Sequence, residues 1–167
     1  MEFHITDEFR KDSGGRIIIA NHISKIDFLF IWVILRGKCT VVANKASVDS
    51  HKWIKYFLGL FDILYVGDNK NSIKSMIECV NSGKTLVIFP EGTITRNGSL
   101  GEIKRGIELL ARKTTNKVYP VIIHGLLGSK FSKVNNSDTV DVSLLMKKSI
   151  PYSETFLKDI SNELQNS

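Results

Sequence analysis

Residues 17–27 read Ile-Ile-Ile-Ala-Asn-His-Ile-Ser-Lys-Ile-Asp, and this stretch decides the fold class. The run from Ile17 to Ala20 is apolar at every position, as in a parallel strand that is buried on both faces, and a Gly-Gly pair at 14–15 introduces it. The segment from Ser24 to Arg36 is mostly apolar and is followed by Gly37, which is typical of a buried helix and its end. The stretch therefore predicts a strand, a polar turn and a helix.

The same alternation continues along the chain. Strands alternating with helices predict a single-domain α/β sandwich, residues 1–167, with a central, largely parallel mixed sheet flanked by helices. The right-handed crossover rule then places several strand ends and their loops on one side of the sheet. Pro120 stands early in one strand, which predicts an edge strand or a bulge there. Further strands are predicted at 39–43, 63–66, 85–89, 118–123 and 140–145, and helices at 50–59, 72–81, 103–113 and 152–165.

Composition is that of a folded chain with a basic surface. The 167 residues have a mass of 18.8 kDa and are 43% hydrophobic, which is enough for an ordinary core. Lysine and arginine total 23 against 17 aspartates and glutamates, a net charge of +6. This balance favours an anionic partner, such as a membrane surface, an acidic carrier protein, a phosphorylated metabolite or nucleic acid.

Cysteine usage and hydropathy exclude several classes. Cys39 and Cys79 form no CxxC pair, so the sequence predicts neither a disulfide framework nor a zinc site. The first ten residues carry charge throughout, unlike a signal peptide. The longest apolar run, Phe28 to Leu35, is eight residues, whereas a membrane-spanning helix needs roughly 20. We therefore expect no transmembrane helix.

His22 and Asp27 have a spacing that suits a general base. Residues five apart on one continuous helix lie roughly 140° apart around the axis, so the two side chains meet only if His22 precedes the helix. With Ser24 as N-cap, Asp27 occupies the third helical position and can accept a hydrogen bond from His22 Nδ1, leaving Nε2 to take a proton from an alcohol. Alternatively, Ser24 to Asp27 form a capping box in which Asp27 bonds only the Ser24 backbone. The residues leave both interpretations open.

A second polar cluster, Phe-Pro-Glu-Gly-Thr at 89–93, also follows an apolar strand. The proline ends the strand, Glu91 offers a carboxylate, and Gly92 permits a left-handed turn or a close approach to a ligand. The alternative is a plain β-turn with an exposed glutamate. Arg96 and Lys104 follow at the margin of this loop, where they can hold a phosphate or an acidic partner, or remain solvated surface charges.

The two clusters together resemble motifs of the PlsC-like glycerolipid acyltransferases of the lysophosphatidic acid acyltransferase type. Residues 21–27 match NHxSxxD and residues 89–93 match FPEGT, in the right order and separation. The similarity covers about residues 16–123. It departs from the family pattern at Gly67-Asp68, where an Asp-Arg pair is usual, and at Ile94, where arginine is frequent. Further matching stretches are 41–45 (Val-Val-Ala-Asn-Lys), 103–106 (Ile-Lys-Arg-Gly) and 118–121 (Val-Tyr-Pro-Val).

The resemblance implies transfer of a fatty acyl group from an acyl-CoA or acyl carrier protein thioester to a hydroxyl of a lysophospholipid such as 1-acylglycerol-3-phosphate. His22 would deprotonate the hydroxyl and Asp27 would orient the imidazole, with no acyl-enzyme, no metal and no cofactor. Pro120 would lie near the acyl channel. The residues expected to bind substrate are Asn21, Ser24, Lys45, Glu91, Gly92, Thr93, Arg96 and Lys104.

The resemblance and the basic charge together imply a peripheral location on the cytoplasmic side of a membrane. The expected partners are a membrane lipid surface, the acyl donor and the lysolipid acceptor. The segment 51–61 interleaves lysines with Trp53 and Tyr56 and suits a headgroup layer, although packing against the sheet explains the same residues. The missing arginines leave open a non-catalytic lipid- or carrier-binding relative, and an acceptor without phosphate. No nucleic acid is expected, because the chain has no recognisable nucleic-acid-reading motif.

Overall fold

The computed structural model describes residues 2–45, 48, 59, 61–67, 70–114, 117–127, 132 and 141–165. Within these ranges the chain forms seven strands and five helices. The strands are β1 (Glu2–His4), β2 (Arg16–Ala20), β3 (Thr40–Asn44), β4 (Asp62–Val66), β5 (Thr85–Ile88), β6 (Val118–His124) and β7 (Ser143–Met146). The helices are α1 (Asp7–Lys11), α2 (Asp27–Ile34), α3 (Lys70–Asn81), α4 (Gly106–Thr114) and α5 (Phe156–Gln165).

All seven strands belong to one sheet in the order β1-β7-β6-β2-β5-β3-β4. The neighbours from β6 to β4 pair in parallel, β1 is parallel to β7, and β7 runs antiparallel to β6. The predicted α/β class with a largely parallel mixed sheet is therefore confirmed. The predicted strands are present with ends shifted by a few residues. The predicted helix at 50–59 and the aromatic segment at 51–61 lie outside the described residues, apart from Gly59 and Phe61.

The core lies on both faces of the sheet because β2 is apolar at every position after Arg16. Ile18 and Ala20 point to one face, where α1 and α2 pack, and Ile17 and Ile19 point to the other, where α3, α4 and α5 pack. All four of these side chains are fully buried. A strand without alternating polar residues is stable only when both faces are covered, so this run fixes β2 in the middle of the sheet.

Pro120 does not lie on an edge strand, which corrects one half of the expectation from sequence. The predicted bulge is supported, because the pairing of β6 with the chain after β7 shifts by one residue between the pairs Val121–Met146 and Val118–Ile150. β6 lies between β2 and β7, and its register with β2 runs without interruption through the pair of Ile19 and Pro120. The carbonyl of Pro120 accepts a hydrogen bond from the Lys147 N–H at 2.8 Å, so the nitrogen of Pro120 also faces β7. The paired residues of β6 in the β6–β7 ladder run from Val121 to His124. Pro120 lies just outside this ladder, so the backbone N–H group that proline lacks is not needed within it.

Parallel pairing aligns the ends of the central strands. Ile19 pairs with Ile88 and Ala20 pairs with Val121, so β2 and β5 end at the same side of the sheet, where β6 also continues. We call this side the carboxyl edge (residues 21–27, 89–101 and 123–125). The opposite side is the amino edge (residues 8–16, 84–85, 117–119 and 149). Among the described residues, no helix has the length and apolar character needed to span a bilayer.

Candidate active site

The carboxyl edge holds an imidazole and a carboxylate in direct contact. His22 lies in the turn after β2, and Asp27 is the first residue of α2. The distance from His22 Nδ1 to Asp27 Oδ2 is 2.8 Å. The Asp27 side chain is fully buried, whereas the His22 side chain is 20% exposed. When Nδ1–H donates a hydrogen bond to the ionised carboxylate, the lone pair of the neutral ring is on Nε2, which is the arrangement a general base requires.

One oxygen of Asp27 makes both of the contacts that the sequence left open, the bond to His22 and the bond to the Ser24 backbone. Besides the imidazole, Oδ2 accepts hydrogen bonds from the backbone N–H groups of Ile23 at 2.8 Å and Ser24 at 2.9 Å. The bond to Ser24 is the capping-type contact, and it coexists with the bond to His22. The carboxylate therefore shapes the turn that carries the imidazole and also fixes the direction of the ring.

Ser24 is not the N-cap, which corrects a detail of the prediction. The helix begins at Asp27, and Ile26 at the capping position makes no side-chain hydrogen bond. The Ser24 hydroxyl instead accepts from the Ile26 N–H at 3.2 Å and closes the turn before the helix. Because that turn is not helical, Asp27 stands at the first helical position and not the third.

Asp27 is in an electrostatically unusual setting. Burial raises its pKa above the ordinary value, while the hydrogen bonds from His22, Ser24 and Ile23 act in the opposite direction. Its second oxygen, Oδ1, is buried and makes no hydrogen bond within the described part of the chain. A buried carboxylate with incomplete partners interacts strongly with a neighbouring positive charge because little water screens it.

The second sequence cluster contacts His22 at two points, and Thr95 in the loop after it makes a third contact. The Phe89 ring stacks on the imidazole with centroids 4.4 Å apart and an angle of 28° between the planes. The His22 backbone N–H donates to Glu91 Oε1 at 2.9 Å, and the Thr95 N–H donates to the His22 carbonyl at 2.8 Å. The two clusters thus meet at one edge, as the order of strands and loops predicts.

Glu91 is not the exposed glutamate of a plain turn. Its side chain is 8% exposed, and its second oxygen, Oε2, accepts from the Gly101 N–H at 2.7 Å. Gly92 follows with φ of 67°, in the left-handed region. A Cβ at this position would lie 2.8 Å from Lys104 Nζ, but that flexible side chain can shift, so the backbone conformation is what favours glycine.

Two residues expected to bind substrate have their polar atoms engaged within the protein. The Asn21 amide donates to the Ile123 carbonyl at 3.0 Å and accepts from the Ile123 N–H at 2.7 Å, which prolongs the pairing of β2 with β6. Ser24 is fully buried. These contacts give both residues a structural role, and their contact with substrate stays a prediction.

The other expected substrate contacts are exposed at the margin of the site. Lys104 lies against Gly92, and Lys45 directly follows β3, whose end lies on the same side. Thr93 and Arg96 belong to the loop that contacts His22. Their binding of substrate also stays a prediction. In the part of the chain that the structure describes, no cluster of three or more histidine, cysteine, aspartate or glutamate side chains could hold a metal ion.

Sequence reasoning missed Thr95, Gly101 and the stacking of Phe89. Phe89 was visible only as the end of an apolar strand. Thr95 and Gly101 act through backbone N–H groups, which carry no residue-type signal. Thr95 is nonetheless buried, and its hydroxyl lies within hydrogen-bond distance of Asn97 Oδ1 and the Ser99 carbonyl oxygen, with one proton to donate between them.

A buried carboxylate bonded to a partly exposed imidazole at the carboxyl edge of an α/β sheet defines a candidate general-base site. Residues 1–124, well over half of the chain, match the family model described as Acyltransferase, and the chain belongs to that family.

Relatives of known description agree. The chain is similar to a 1-acyl-sn-glycerol-3-phosphate acyltransferase from Cocos nucifera, with 33% identity over 136 residues, covering 72% of this chain and 41% of that protein. It is also similar to one from Borreliella burgdorferi, with 30% identity over 115 residues, covering 65% of this chain and 45% of that protein. The chain thus spans less than half the length of these relatives.

A solved structure shares the fold. It is the 1-acyl-sn-glycerophosphate (LPA) acyltransferase, PlsC, from Thermotoga maritima, with a TM-score of 0.71 and 21% sequence identity, covering 97% of this chain and 67% of that one. At this identity the likeness shows the fold alone.

Proposed function

We propose that this protein is an acyltransferase that moves a fatty acyl group from an acyl-CoA or acyl carrier protein thioester to a hydroxyl of a lysophospholipid such as 1-acylglycerol-3-phosphate. The observation that carries the proposal is the contact of His22 Nδ1 with the buried Asp27 carboxylate at 2.8 Å. Membership of the acyltransferase family and the names of the relatives support the same reaction.

His22 acts as the general base in this proposal. Its Nε2 takes the proton of the acceptor hydroxyl as the oxygen attacks the thioester carbonyl carbon. The carbon–sulfur bond then breaks, and the imidazolium returns the proton to the leaving thiolate, so no acyl-enzyme forms. Asp27 stabilises the imidazolium between the two proton transfers. Positioned acid–base groups of this kind contribute rate factors of roughly 10² to 10⁴.

Lys104 is the best-placed cation for a phosphorylated headgroup. Its ammonium group lies directly against Gly92, next to the loop that contacts His22. A lysine offers a point charge, whereas the arginines that the family resemblance leads one to expect at Ile94 and after Gly67 would offer a bidentate fork. These two departures favour a second candidate, an acceptor hydroxyl on a lipid without a phosphate.

The test is acyl transfer by the wild type, His22→Ala and the matched control His4→Ala, which removes an exposed histidine of β1. Thiol release and acylated product are measured with 1-acylglycerol-3-phosphate, other lysophospholipids and monoacylglycerol. We expect a loss of roughly 10² to 10⁴ in His22→Ala and none in the control. Equal turnover in all three proteins would remove His22 as the base. Acceptor binding without thiol release in the wild type would support a non-catalytic relative.

We also propose that the protein works peripherally at the cytoplasmic face of a membrane. The net charge of +6 supports contact with anionic lipids. Sedimentation with vesicles containing anionic lipid should retain the protein at low salt and release it as salt rises, because exposed charges are screened. Failure to sediment at low salt would contradict this location.

A further inference from the structure

We propose that Glu91 is a positioning residue that fixes the backbone of His22, and that it does not bind the acceptor headgroup. The inference rests on the proposed acyl transfer, because it assigns a role within that reaction. It departs from the expectation from sequence, which placed Glu91 among the substrate-binding residues.

Both carboxylate oxygens of Glu91 already have backbone partners. Oε1 accepts from the His22 N–H at 2.9 Å, and Oε2 accepts from the Gly101 N–H at 2.7 Å. With a side chain that is 8% exposed, the carboxylate is largely withdrawn from solvent. Bonds from N–H groups to an ionised carboxylate are stronger than bonds between neutral groups. Glu91 therefore joins the turn after β2 to the far end of the 89–101 loop.

The carbonyl group of His22 is bonded to the same loop that carries Glu91. The Thr95 N–H donates to the His22 carbonyl at 2.8 Å, so both backbone polar groups of His22 bond to residues 91–95. Phe89 covers the ring face, and Asp27 bonds Nδ1. Catalysis is sensitive to such fixation, since a displacement of about 1 Å can cost roughly 10²-fold in rate.

A headgroup contact does not suit this geometry. A phosphate would face the negative charge of Glu91, and a glycerol hydroxyl would have to share an oxygen that already accepts a backbone N–H. The loss of a positioning contact lowers kcat and leaves the KM for the acceptor unchanged, whereas the loss of a headgroup contact raises that KM. The two roles are therefore separable by kinetics.

Gly101 allows the carboxylate to be displaced without changing its chemistry. A Cβ on Gly101 would lie 2.9 Å from Glu91 Oε2, closer than a real Cβ contact allows, so Gly101→Ala forces the carboxylate to move. Gly14 provides the matched control at the amino edge. A Cβ there would meet Asp12 Oδ1 at an ordinary 3.7 Å.

The experiment compares the wild type, Glu91→Gln, Gly101→Ala and Gly14→Ala. In Glu91→Gln the side chain keeps its shape, but an NH₂ group faces one of the two backbone donors. We expect kcat to fall roughly 10- to 100-fold in the first two variants, with the acceptor KM within about twofold of the wild type. In a ¹⁵N-resolved NMR spectrum, the His22 and Gly101 amide protons should move upfield in Glu91→Gln as their hydrogen bonds weaken. Gly14→Ala should match the wild type in every measurement.

Two results would overturn the assignment. One is a raised acceptor KM with unchanged kcat in Glu91→Gln, which would identify a headgroup contact. The other is unchanged His22 and Gly101 amide resonances in that variant. The NMR measurement requires no turnover, so it decides the Glu91 contacts even if the wild type transfers no acyl group and the proposed function fails.

Discussion

The two edges of the sheet each hold a carboxylate in a polar cluster, but they surround it differently. At the amino edge, Glu8 accepts hydrogen bonds from the Ser149 hydroxyl at 2.6 Å, the Ser149 N–H at 3.1 Å and Lys117 Nζ at 3.1 Å. The Ser149 bonds, with Lys117, lower the pKa of Glu8 to about 2. At the carboxyl edge, burial raises the pKa of Asp27, and one of its oxygens lacks a partner among the described groups.

The opposite pKa shifts of Glu8 and Asp27 imply opposite effects on the stability of the folded protein. A carboxylate with a lowered pKa stabilises the folded state at neutral pH, whereas a carboxylate with a raised pKa reduces that stability when it ionises. Glu8 therefore stabilises the contact of α1 with Lys117 and Ser149, which flank β6 and β7. Burial makes the ionised form of Asp27 less favourable, and under the proposed mechanism a positive charge on His22 would offset this cost.

Asp27→Asn should give the largest effect of these variants, a loss of activity with little loss of stability. The amide oxygen can still accept from Ile23 and Ser24, but the imidazolium loses its negative partner, so kcat should fall roughly 10² to 10⁴-fold. The unfolding free energy should change by no more than about 1 kcal/mol at pH 7. Turnover with purified protein and urea unfolding measure the two quantities.

The pH dependence of the stability of Asp27→Asn tests whether ionisation of Asp27 destabilises the fold. Because the folded-state pKa of Asp27 is raised, its ionisation removes stability from the wild type as pH rises from 4 to 7. The stability of Asp27→Asn relative to the wild type should therefore increase over this range. A decrease would show that the ionised carboxylate stabilises the fold.

Arg16→Lys should give the next largest effect, on stability and not on activity. The Arg16 guanidinium donates to the carbonyls of Phe9 and Asp12 and to the Thr85 hydroxyl, and it lies 4.2 Å from the centre of the Phe9 ring. Lysine cannot reproduce this fork, so the unfolding free energy should fall by about 1–3 kcal/mol. Acyl transfer per folded molecule should equal that of the wild type. A lower kcat in fully folded Arg16→Lys protein would show that the amino edge also affects catalysis.

Glu8→Gln should have a smaller, pH-dependent effect. The side chain of Glu8 is 32% exposed, so solvent screens its interactions and the expected loss is about 1–2 kcal/mol at pH 7. Since the pKa is lowered, this stability is present above the ordinary value of 4.5 and is lost as pH falls toward 2. The difference between wild type and variant in urea unfolding should therefore shrink between pH 7 and pH 3. A difference that is constant with pH would exclude the charge of Glu8 as its source.

Lys84→Met should give the smallest effect. Lys84 Nζ lies 2.9 Å from Asp62 Oδ2, but the two side chains are 55% and 50% exposed. Exposed pairs of this kind contribute about 0–1 kcal/mol, and we expect a change near 0.5 kcal/mol in thermal or urea unfolding. A loss above about 2 kcal/mol would show that exposed charges, and not only half-buried ones, stabilise this part of the protein.

The central sheet was predictable because its signal is local. The run from Ile17 to Ala20 has no polar residue, so it could be stable only as a strand covered on both faces. The meeting of His22 with the 89–93 loop was also foreseeable, because parallel strands end at the same edge. The confirmed fold class follows from these two features.

The remaining features depend on contacts between distant residues. The bond from the His22 N–H to Glu91 joins residues 69 apart in sequence, and no local pattern indicates it. β1 and α1 were not predicted, since β1 is three exposed residues that form a strand only by pairing with β7. A proline cannot donate to a ladder, which predicted an edge or a bulge at Pro120. The strand is not an edge, because the chain at the end of β7 pairs with it, and that pairing shifts by one residue beside Pro120.

The pairing of β1 with β7 also orders the assembly of the protein during synthesis. Glu2 pairs with Ser143 and His4 with Leu145, so β1 has no strand beside it until residues far along the chain have been made. At roughly 5–20 residues per second, the ribosome needs on the order of ten seconds to supply them. β1 is thus among the last of the described strands to join the sheet.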